Sequence, residues 1–128
     1  MPHKPFKILI VEDEVSILEM YRFKLAKEGF SVATAMNGET GLAECREFMP
    51  DLILLDLKMP ILTGDEMLKK LRHTKWGANM RVVILTNISK DEAPHSLRLL
   101  NVDRYIVKAH YTPAQVVETV NEILGNKN

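Results

Sequence analysis

Asp51-Leu52-Ile53-Leu54-Leu55-Asp56-Leu57-Lys58-Met59-Pro60 is the stretch that decides the fold of this chain. Four consecutive apolar residues lead into Asp56, and a Lys-Met-Pro turn follows at once. A short continuous apolar run is typical of a strand buried on both faces, as in a parallel sheet. Asp56 then stands where such a strand ends, which is where open α/β sheets bind their ligands. Taken alone, this carboxylate is either a turn residue or a reactive group.

Five strand-like segments alternate with five helix-like segments along the chain. The predicted strands cover residues 6–11, 30–35, the opening stretch, 81–86 and 103–108. The predicted helices cover about 14–28, 39–48 and 65–73, a segment that begins near Lys90 or Asp91, and a segment from the Thr112-Pro113 start to Gly125. Strict alternation predicts a parallel sheet covered on both sides. We therefore expect one domain, residues 1–128, with a flavodoxin-like (βα)5 three-layer sandwich and strand order 2-1-3-4-5.

Several residues inside these segments carry specific expectations. Gly29 and Asn101 are predicted to be left-handed residues after helices. The spacing of Leu42, Cys45 and Met49 predicts that all three lie on the buried face of the second helix.

Composition and charge exclude several classes of protein. Lys and Arg total 17, as do Asp and Glu, so the net charge is zero and no basic nucleic-acid footprint is present. Cys45 is the only cysteine, which excludes an internal disulfide and fits a reducing compartment. The start, Met-Pro-His-Lys-Pro, lacks the apolar core of a signal peptide, and no apolar run approaches the ~20 residues of a membrane span. We expect a soluble, cytoplasmic protein with no nucleic-acid or membrane partner.

Polar side chains follow four of the five predicted strands, at the point where each strand ends. They are Glu12 and Asp13 after the first strand, Asp56 after the third, Thr86 at the end of the fourth and Lys108 at the end of the fifth. The carboxyl ends of parallel strands meet at one sheet edge, and the predicted order places the first and third strands side by side. The acidic pair and Asp56 should therefore be neighbours, with Lys108 and Thr86 facing them.

Three neighbouring carboxylates need positive charge beside them, because at an effective dielectric of ~20 they repel one another by several kcal/mol. Lys108 supplies one charge, and a hard divalent cation such as Mg²⁺ is the obvious second. Such a site suits phosphoryl transfer, which depends on positioning and charge neutralisation. Asp56 would then be the nucleophile, and an aspartyl phosphate the product.

Each of these residues also has a purely structural interpretation. Asp13 could be the N-cap of the first helix, Thr86 could cap the following loop, Lys108 could be a solvated strand end, and Asp56 could be a turn former. Their meeting at one edge from different strands favours the functional interpretation.

The chain resembles the response regulator receiver domains of two-component signalling over essentially all 128 residues. The resemblance rests on Ile-Leu-Ile-Val-Glu-Asp-Glu (8–14), Pro-Asp-Leu-Ile-Leu-Leu-Asp-Leu-Lys-Met-Pro (50–60), Thr63-Gly64, Val-Ile-Leu-Thr (83–86) and Asp-Arg-Tyr-Ile-Val-Lys (103–108). Any one of these motifs is weak, but together they are highly specific.

The resemblance implies a role for each matching residue. Asp56 would be the phosphorylated aspartate. Glu12, Asp13, Asp56 and the main-chain carbonyl of Lys58 would bind Mg²⁺ or another divalent cation such as Mn²⁺. Thr86 would hydrogen-bond a phosphoryl oxygen, Lys108 would pair with the phosphoryl charge, and Tyr105 would swing inward as the Thr86 loop moves. The family also implies slow autodephosphorylation.

Three positions depart from the family pattern. Ala109 follows Lys108 where proline is usual, and a cis bond before a non-proline residue costs ~2.5–4 kcal/mol, so we expect a trans bond. Asn87 stands where a small residue is usual, and we expect its larger side chain to alter the phosphate lifetime. Thr63 replaces a common aspartate, a loop variation of little consequence.

The resemblance implies a sensor histidine kinase or phosphotransfer protein as donor, and as output a downstream protein or a domain beyond this chain. The expected output surface consists of the fourth helix, fifth strand and fifth helix; it carries Lys90, His95, Arg98, Asp103, Arg104, His110, Gln115 and Glu118. Since the last helix has no Lys or Arg before Lys127, we expect a monomer or weak dimer.

Three alternative functions differ in what they require. A pseudo-receiver would be a protein-interaction module that works without phosphorylation. A phosphatase resembling the haloacid dehalogenase type needs an aspartate where Lys58 stands. A flavodoxin must bind phosphate in its first loop, where Glu12-Asp13-Glu14 would repel it. The last two are rejected.

Overall fold

A single five-stranded parallel sheet forms the centre of the protein. The computed structural model describes residues 5–126, so the expectations for the N-terminal residues 1–4 and for Lys127 concern positions outside this range. The strands are β1 (Lys7–Val11), β2 (Ser31–Ala35), β3 (Leu52–Leu55), β4 (Arg81–Thr86) and β5 (Arg104–Val107). Their order is β2-β1-β3-β4-β5, which confirms the predicted flavodoxin-like topology.

Four α-helices cover the two faces of the sheet. They are α1 (Val15–Lys27), α2 (Gly38–Phe48), α3 (Gly64–Arg72) and α4 (Pro113–Leu124). Alternate residues of β3 face opposite sides, because side chains alternate along a strand. Ile53 and Leu55 pack in the cluster with α2 and α3, while Leu52 and Leu54 pack in the cluster with α1 and α4. All four are at most 1% exposed, so the opening stretch is buried on both faces as predicted.

The prediction of an α-helix between β4 and β5 is wrong. Two short 3₁₀ turns, Lys90–Glu92 and His95–Leu99, occupy the segment between β4 and β5. Proline lacks an amide hydrogen and pushes the preceding residue out of the helical region. Ala93 and Pro94 are accordingly extended, with ψ of 150° and 132°, and they separate the two turns.

The ends of the helices follow the sequence signals in most cases. Gly29, Asn101 and Gly125 have positive φ angles of 97°, 52° and 68°. Thr112 and Gln115 form the reciprocal capping box at the start of α4. Met49 differs from its prediction: it is the C-cap of α2 with a φ of 51°, and its side chain is exposed rather than buried. The helix has already ended there, so helical spacing no longer applies.

Arg72, at the end of α3, joins three parts of the chain that sequence patterns do not connect. Its guanidinium donates to the carbonyl oxygens of Met80 at 2.7 Å, Leu100 at 2.8 Å and Asn101 at 3.1 Å. It also donates to Gly77 and Ala78. These five hydrogen bonds connect α3 to the segments that precede β4 and β5.

Among the described residues, no helix has both the length and the apolar character that crossing a bilayer would require.

Candidate functional site

The register between β1 and β3 brings the acidic residues together. Val11 lies opposite Leu55 in the parallel ladder, so Glu12 and Asp56 leave the sheet side by side. The backbone fixes both positions: the Glu12 amide donates to Ala35 at 3.0 Å, and the Asp56 amide donates to Val11 at 3.0 Å. The expected neighbourhood of the acidic pair and Asp56 is therefore present.

Glu12, Asp13 and Asp56 form a tight group of carboxylates. One oxygen from each lies within 4.8 Å of the others. Glu12 and Asp56 are only 3% and 7% exposed, whereas Asp13 is open to solvent. Glu14, not Asp13, is the N-cap residue of α1, so the capping interpretation of Asp13 is wrong.

Lys108 reaches this group from the end of β5. Its ammonium forms an ion pair with Glu12 Oε1 and lies 3.5 Å from Asp56 Oδ2. It belongs to a short 3₁₀ turn, Lys108–His110, and the Lys108–Ala109 bond is trans, as expected. The ammonium thus lies between two buried carboxylates, but closer to Glu12 than to Asp56.

Two opposing effects act on the Glu12 carboxyl group. Burial raises its pKa, because the charged form loses hydration, while the hydrogen bond from Lys108 acts in the opposite direction. Burial is the larger effect, so the pKa lies above its ordinary value. Additional positive charge near Glu12 would favour its ionised form.

The loop after β3 holds Asp56 through main-chain contacts. The Leu57 amide donates to Asp56 Oδ1 at 2.7 Å, and the Gly64 amide donates to the Leu57 carbonyl at 2.9 Å. A Cβ atom on Gly64 would lie 2.1 Å from the Asp56 carbonyl oxygen, so only glycine permits this approach. The glycine at position 64, part of the resemblance to the family, therefore has a direct steric reason. The Leu57 amide is a contact that sequence reasoning missed.

Thr86 and Tyr105 are linked through the loop that follows β4. Thr86 is 1% exposed, and its hydroxyl accepts a long hydrogen bond, 3.4 Å, from the Ile88 amide, in line with its loop-capping alternative. The Tyr105 hydroxyl donates to the Ile88 carbonyl at 2.6 Å. Burial and, secondarily, the charge of Asp56 raise the pKa of Tyr105. Both side chains thus contact the same short loop.

A cavity of about 270 Å³ contains all the predicted site residues except Tyr105. It is lined by Glu12, Asp13, Glu14, Asp56, Lys58, Thr86, Asn87, Ile88 and Lys108. Glu14 and Ile88 were not predicted as site residues from the sequence. The Glu14 amide donates to Glu12 Oε2 at 3.1 Å, a main-chain contact for which the sequence gives no signal.

The donor set fits a hard divalent cation. Three carboxylates offer oxygen ligands within 4.8 Å of one another, and the cavity leaves room for water. Mg²⁺ favours one or two carboxylates, several waters and a phosphate oxygen. Among the described residues, this is the only group of three or more His, Cys, Asp or Glu side chains with such spacing.

Comparisons with known proteins agree with this geometry. Residues 8–121 match the model of the response regulator receiver domain. The alkaline phosphatase synthesis transcriptional regulatory protein PhoP of Bacillus subtilis (strain 168) is 36% identical over 119 residues, which is 92% of this chain and 48% of that protein. The chain thus spans about half the length of the curated relatives it matches.

Two solved structures illustrate the similarity of the fold. A CheY-like receiver domain protein from Methanospirillum hungatei JF-1 has a TM-score of 0.86 and 30% identity, with 94% of each chain covered. The receiver domain of the sensor histidine kinase PA1611 from Pseudomonas aeruginosa PAO1 has a TM-score of 0.84 and 20% identity, with 94% of this chain and 98% of that chain covered. That second structure has a magnesium ion in its active-site cleft. With its family match, its sheet order and its acidic cluster, the chain belongs to the response regulator receiver domains of two-component systems.

Proposed function

We propose that this receiver accepts a phosphoryl group on Asp56 from a phosphohistidine of a sensor histidine kinase or phosphotransfer protein. The observation that carries the proposal is the position of Asp56 in the site. Its carboxylate lies within 4.8 Å of two further acids and 3.5 Å from the Lys108 ammonium, at the wall of an open cavity. A nucleophile, a place for a cation and a fixed positive charge are thus adjacent.

A divalent cation, Mg²⁺ or Mn²⁺, would be held by Glu12, Asp13, Asp56 and the main-chain carbonyl of Lys58. When bound, the cation would neutralise negative charge on the phosphoryl oxygens. The magnesium ion in the cleft of the Pseudomonas aeruginosa receiver domain supports this assignment by analogy of fold.

The proposed reaction has two steps. An Asp56 carboxylate oxygen attacks phosphorus, a P–O bond forms, the P–N bond to histidine breaks, and the departing imidazole takes a proton from solvent. Later, water attacks the same phosphorus, the P–O bond to Asp56 breaks, and inorganic phosphate leaves. We expect this hydrolysis to be slow, as the family resemblance implies.

Thr86 and Lys108 are proposed to bind the phosphoryl group, and Tyr105 to report its presence. A phosphoryl group in the cavity adds negative charge beside Lys108, which would then move from Glu12 towards it. A shift of Thr86 would move the Ile88 carbonyl that holds the Tyr105 hydroxyl. The expected consequence is a change in the surface formed by the two 3₁₀ turns, β5 and α4, where a downstream protein or output domain would bind.

Mass spectrometry with phosphoramidate as donor tests the proposal. We expect the mass of one phosphoryl group to be added in MgCl₂, no addition in EDTA, and no addition to Asp56→Asn. Asp65→Asn, in the first turn of α3, is the matched control and should be labelled normally. Metal-independent labelling, or labelling of Asp56→Asn, would contradict the proposed chemistry. No labelling of the unaltered chain would favour the pseudo-receiver alternative.

A further inference from the structure

A second cavity lies between the two 3₁₀ turns and β5. Its volume is about 650 Å³, within the range of about 300–1,000 Å³ that is typical of small-molecule sites. A continuous amphipathic helix would lay a stripe of apolar side chains along the sheet at this point. The segment 87–101 instead buries only Leu97 and Leu100, and the extended residues Ala93 and Pro94 divide it into two short turns. The cavity is thus a consequence of the missing helix.

Part of the cavity lining is apolar and backed by the protein core. Ala93, Leu97, Val102 and Tyr105 line the cavity, and all four belong to the cluster of residues on the sheet face that carries α2 and α3. Pro94 adds a rigid ring to the same lining. Because the core holds these side chains in place, a planar apolar group could lie against a surface that is already formed.

Three cations also line the cavity: Lys90, Arg98 and Arg104. Within residues 5–126, neither Lys90 nor Arg98 forms an ion pair. Arg104 has only a long contact, 3.9 Å, with Glu122. Two cations at the cavity therefore lack a counter-charge, and a guanidinium is suited to bind the oxygens of a phosphate in a bidentate manner.

The two carboxylates of the lining differ in what they contact. Asp103 Oδ2 accepts a hydrogen bond from the Val82 amide at 2.8 Å, so the backbone fixes this side chain. Asp91 is exposed and has no ion pair with any described residue. A free carboxylate beside free cations suits a ligand that carries hydroxyl donors as well as negative charge. Carboxylates often accept hydrogen bonds from ribose hydroxyls in nucleotide sites.

This cavity is separate from the cavity that contains Asp56, since no residue lines both. Tyr105 lies between them. It lines the second cavity, and its hydroxyl donates to the carbonyl of Ile88, which lines the first. A ligand in the second cavity would therefore contact a residue that holds the loop after Thr86, without competing for the space beside Asp56.

We propose that the cavity between the 3₁₀ turns and β5 binds a mononucleotide. The phosphate would pair with Arg98 and Lys90 through charge-assisted hydrogen bonds. The ribose hydroxyls would donate to Asp91, and the base would pack against Tyr105 and Pro94. This site does not depend on phosphorylation of Asp56, so it stands or falls independently of the proposed function.

NMR titrations of the ¹⁵N-labelled protein in metal-free buffer measure both the affinity and the location of binding. The probes are AMP, GMP, CMP and UMP, together with inorganic phosphate and the nucleoside of the tightest binder. Arg98→Gln and Lys90→Gln each remove one cation from the cavity lining. Arg46→Gln removes an exposed arginine on α2, outside the cavity, and is the matched control.

At least one mononucleotide should shift the amide signals of residues 90–105 saturably, with a Kd below about 1 mM. Inorganic phosphate and the nucleoside should each bind at least about tenfold more weakly, because each makes only part of the contacts. Arg98→Gln should weaken binding about tenfold, since it removes a charge-assisted hydrogen bond, and Lys90→Gln should act in the same direction. Arg46→Gln should bind like the unaltered chain.

Four results would overturn the inference. The first is the absence of a saturable shift with all four mononucleotides. The second is a set of shifts confined to the surroundings of Glu12 and Asp56. The third is inorganic phosphate binding as tightly as the best mononucleotide, which would indicate a charged surface without a nucleotide site. The fourth is an affinity that Arg98→Gln leaves unchanged or that Arg46→Gln lowers equally.

Discussion

Asp13→Asn should make the metal-free protein more stable, because it removes one of three clustered negative charges. The three carboxylates lie within 4.8 Å of one another. Lys108 forms ion pairs with Glu12 and Asp56, whereas Asp13 has no ion pair within residues 5–126. The substitution therefore removes repulsion without breaking an ion pair. Asparagine keeps the size of the side chain.

The geometry sets the magnitude of the effect. Two charges 4.8 Å apart repel by about 3 kcal/mol at an effective dielectric of ~20 and by about 1 kcal/mol in bulk water. Asp13 faces two carboxylates but is open to solvent, so we expect a gain of about 1–2 kcal/mol in the free energy of unfolding. In saturating Mg²⁺ the unaltered protein should be more stable than Asp13→Asn. A ligand at a hundredfold its Kd stabilises the native state by about 2.7 kcal/mol.

Urea unfolding, followed by the fluorescence of the single tryptophan, Trp76, measures the stability of the metal-free and the Mg²⁺-bound protein. Titrations in EDTA and in MgCl₂ should be matched in ionic strength with choline chloride. Asp91→Asn, an exposed acid outside the cluster, is the control and should change stability by less than about 0.5 kcal/mol in either buffer. The reasoning is refuted if Asp13→Asn is less stable than the unaltered protein in EDTA, or if Mg²⁺ stabilises the two proteins equally.

Three further predictions concern other parts of the molecule. Arg72→Ala should lower the free energy of unfolding by about 2–4 kcal/mol, because five carbonyls lose a charged donor. Urea titrations measure the change, and Arg46→Ala, at an exposed position, is the control that should change it little. Burial, with a smaller contribution from Glu44, raises the pKa of Cys45 to about 12, so on the order of 0.01% of the thiol is ionised at pH 8. Ellman's reagent should therefore react with Cys45 only after unfolding. Rapid reaction of the native protein would contradict this. Asn87→Ala should shorten the lifetime of the phosphorylated protein by opening the cavity to water, and an unchanged dephosphorylation rate would remove that role for Asn87.

Local sequence signals predicted most elements because local physics decides them. The four-residue apolar run before Asp56 is typical of a doubly buried strand, and the structure has that strand. The Thr112-Gln115 box starts α4 where expected. The segment between β4 and β5 lacks the predicted α-helix because of a proline within it. Pro94 holds the preceding residue, Ala93, in an extended conformation, which separates two 3₁₀ turns of three and five residues.

The sequence by itself determined the order of the strands and the residues that meet at their ends, because alternation and parallel pairing leave few topologies. Only the tertiary structure decided the distances within that group. Side-chain reach and burial arise from packing between distant segments, and they place Lys108 against Glu12 rather than midway to Asp56. The same holds for the Arg72 hydrogen bonds and for the left-handed backbone of Ile61, whose φ is 70°. Each depends on a backbone position that remote parts of the chain fix, and no local pattern encodes it.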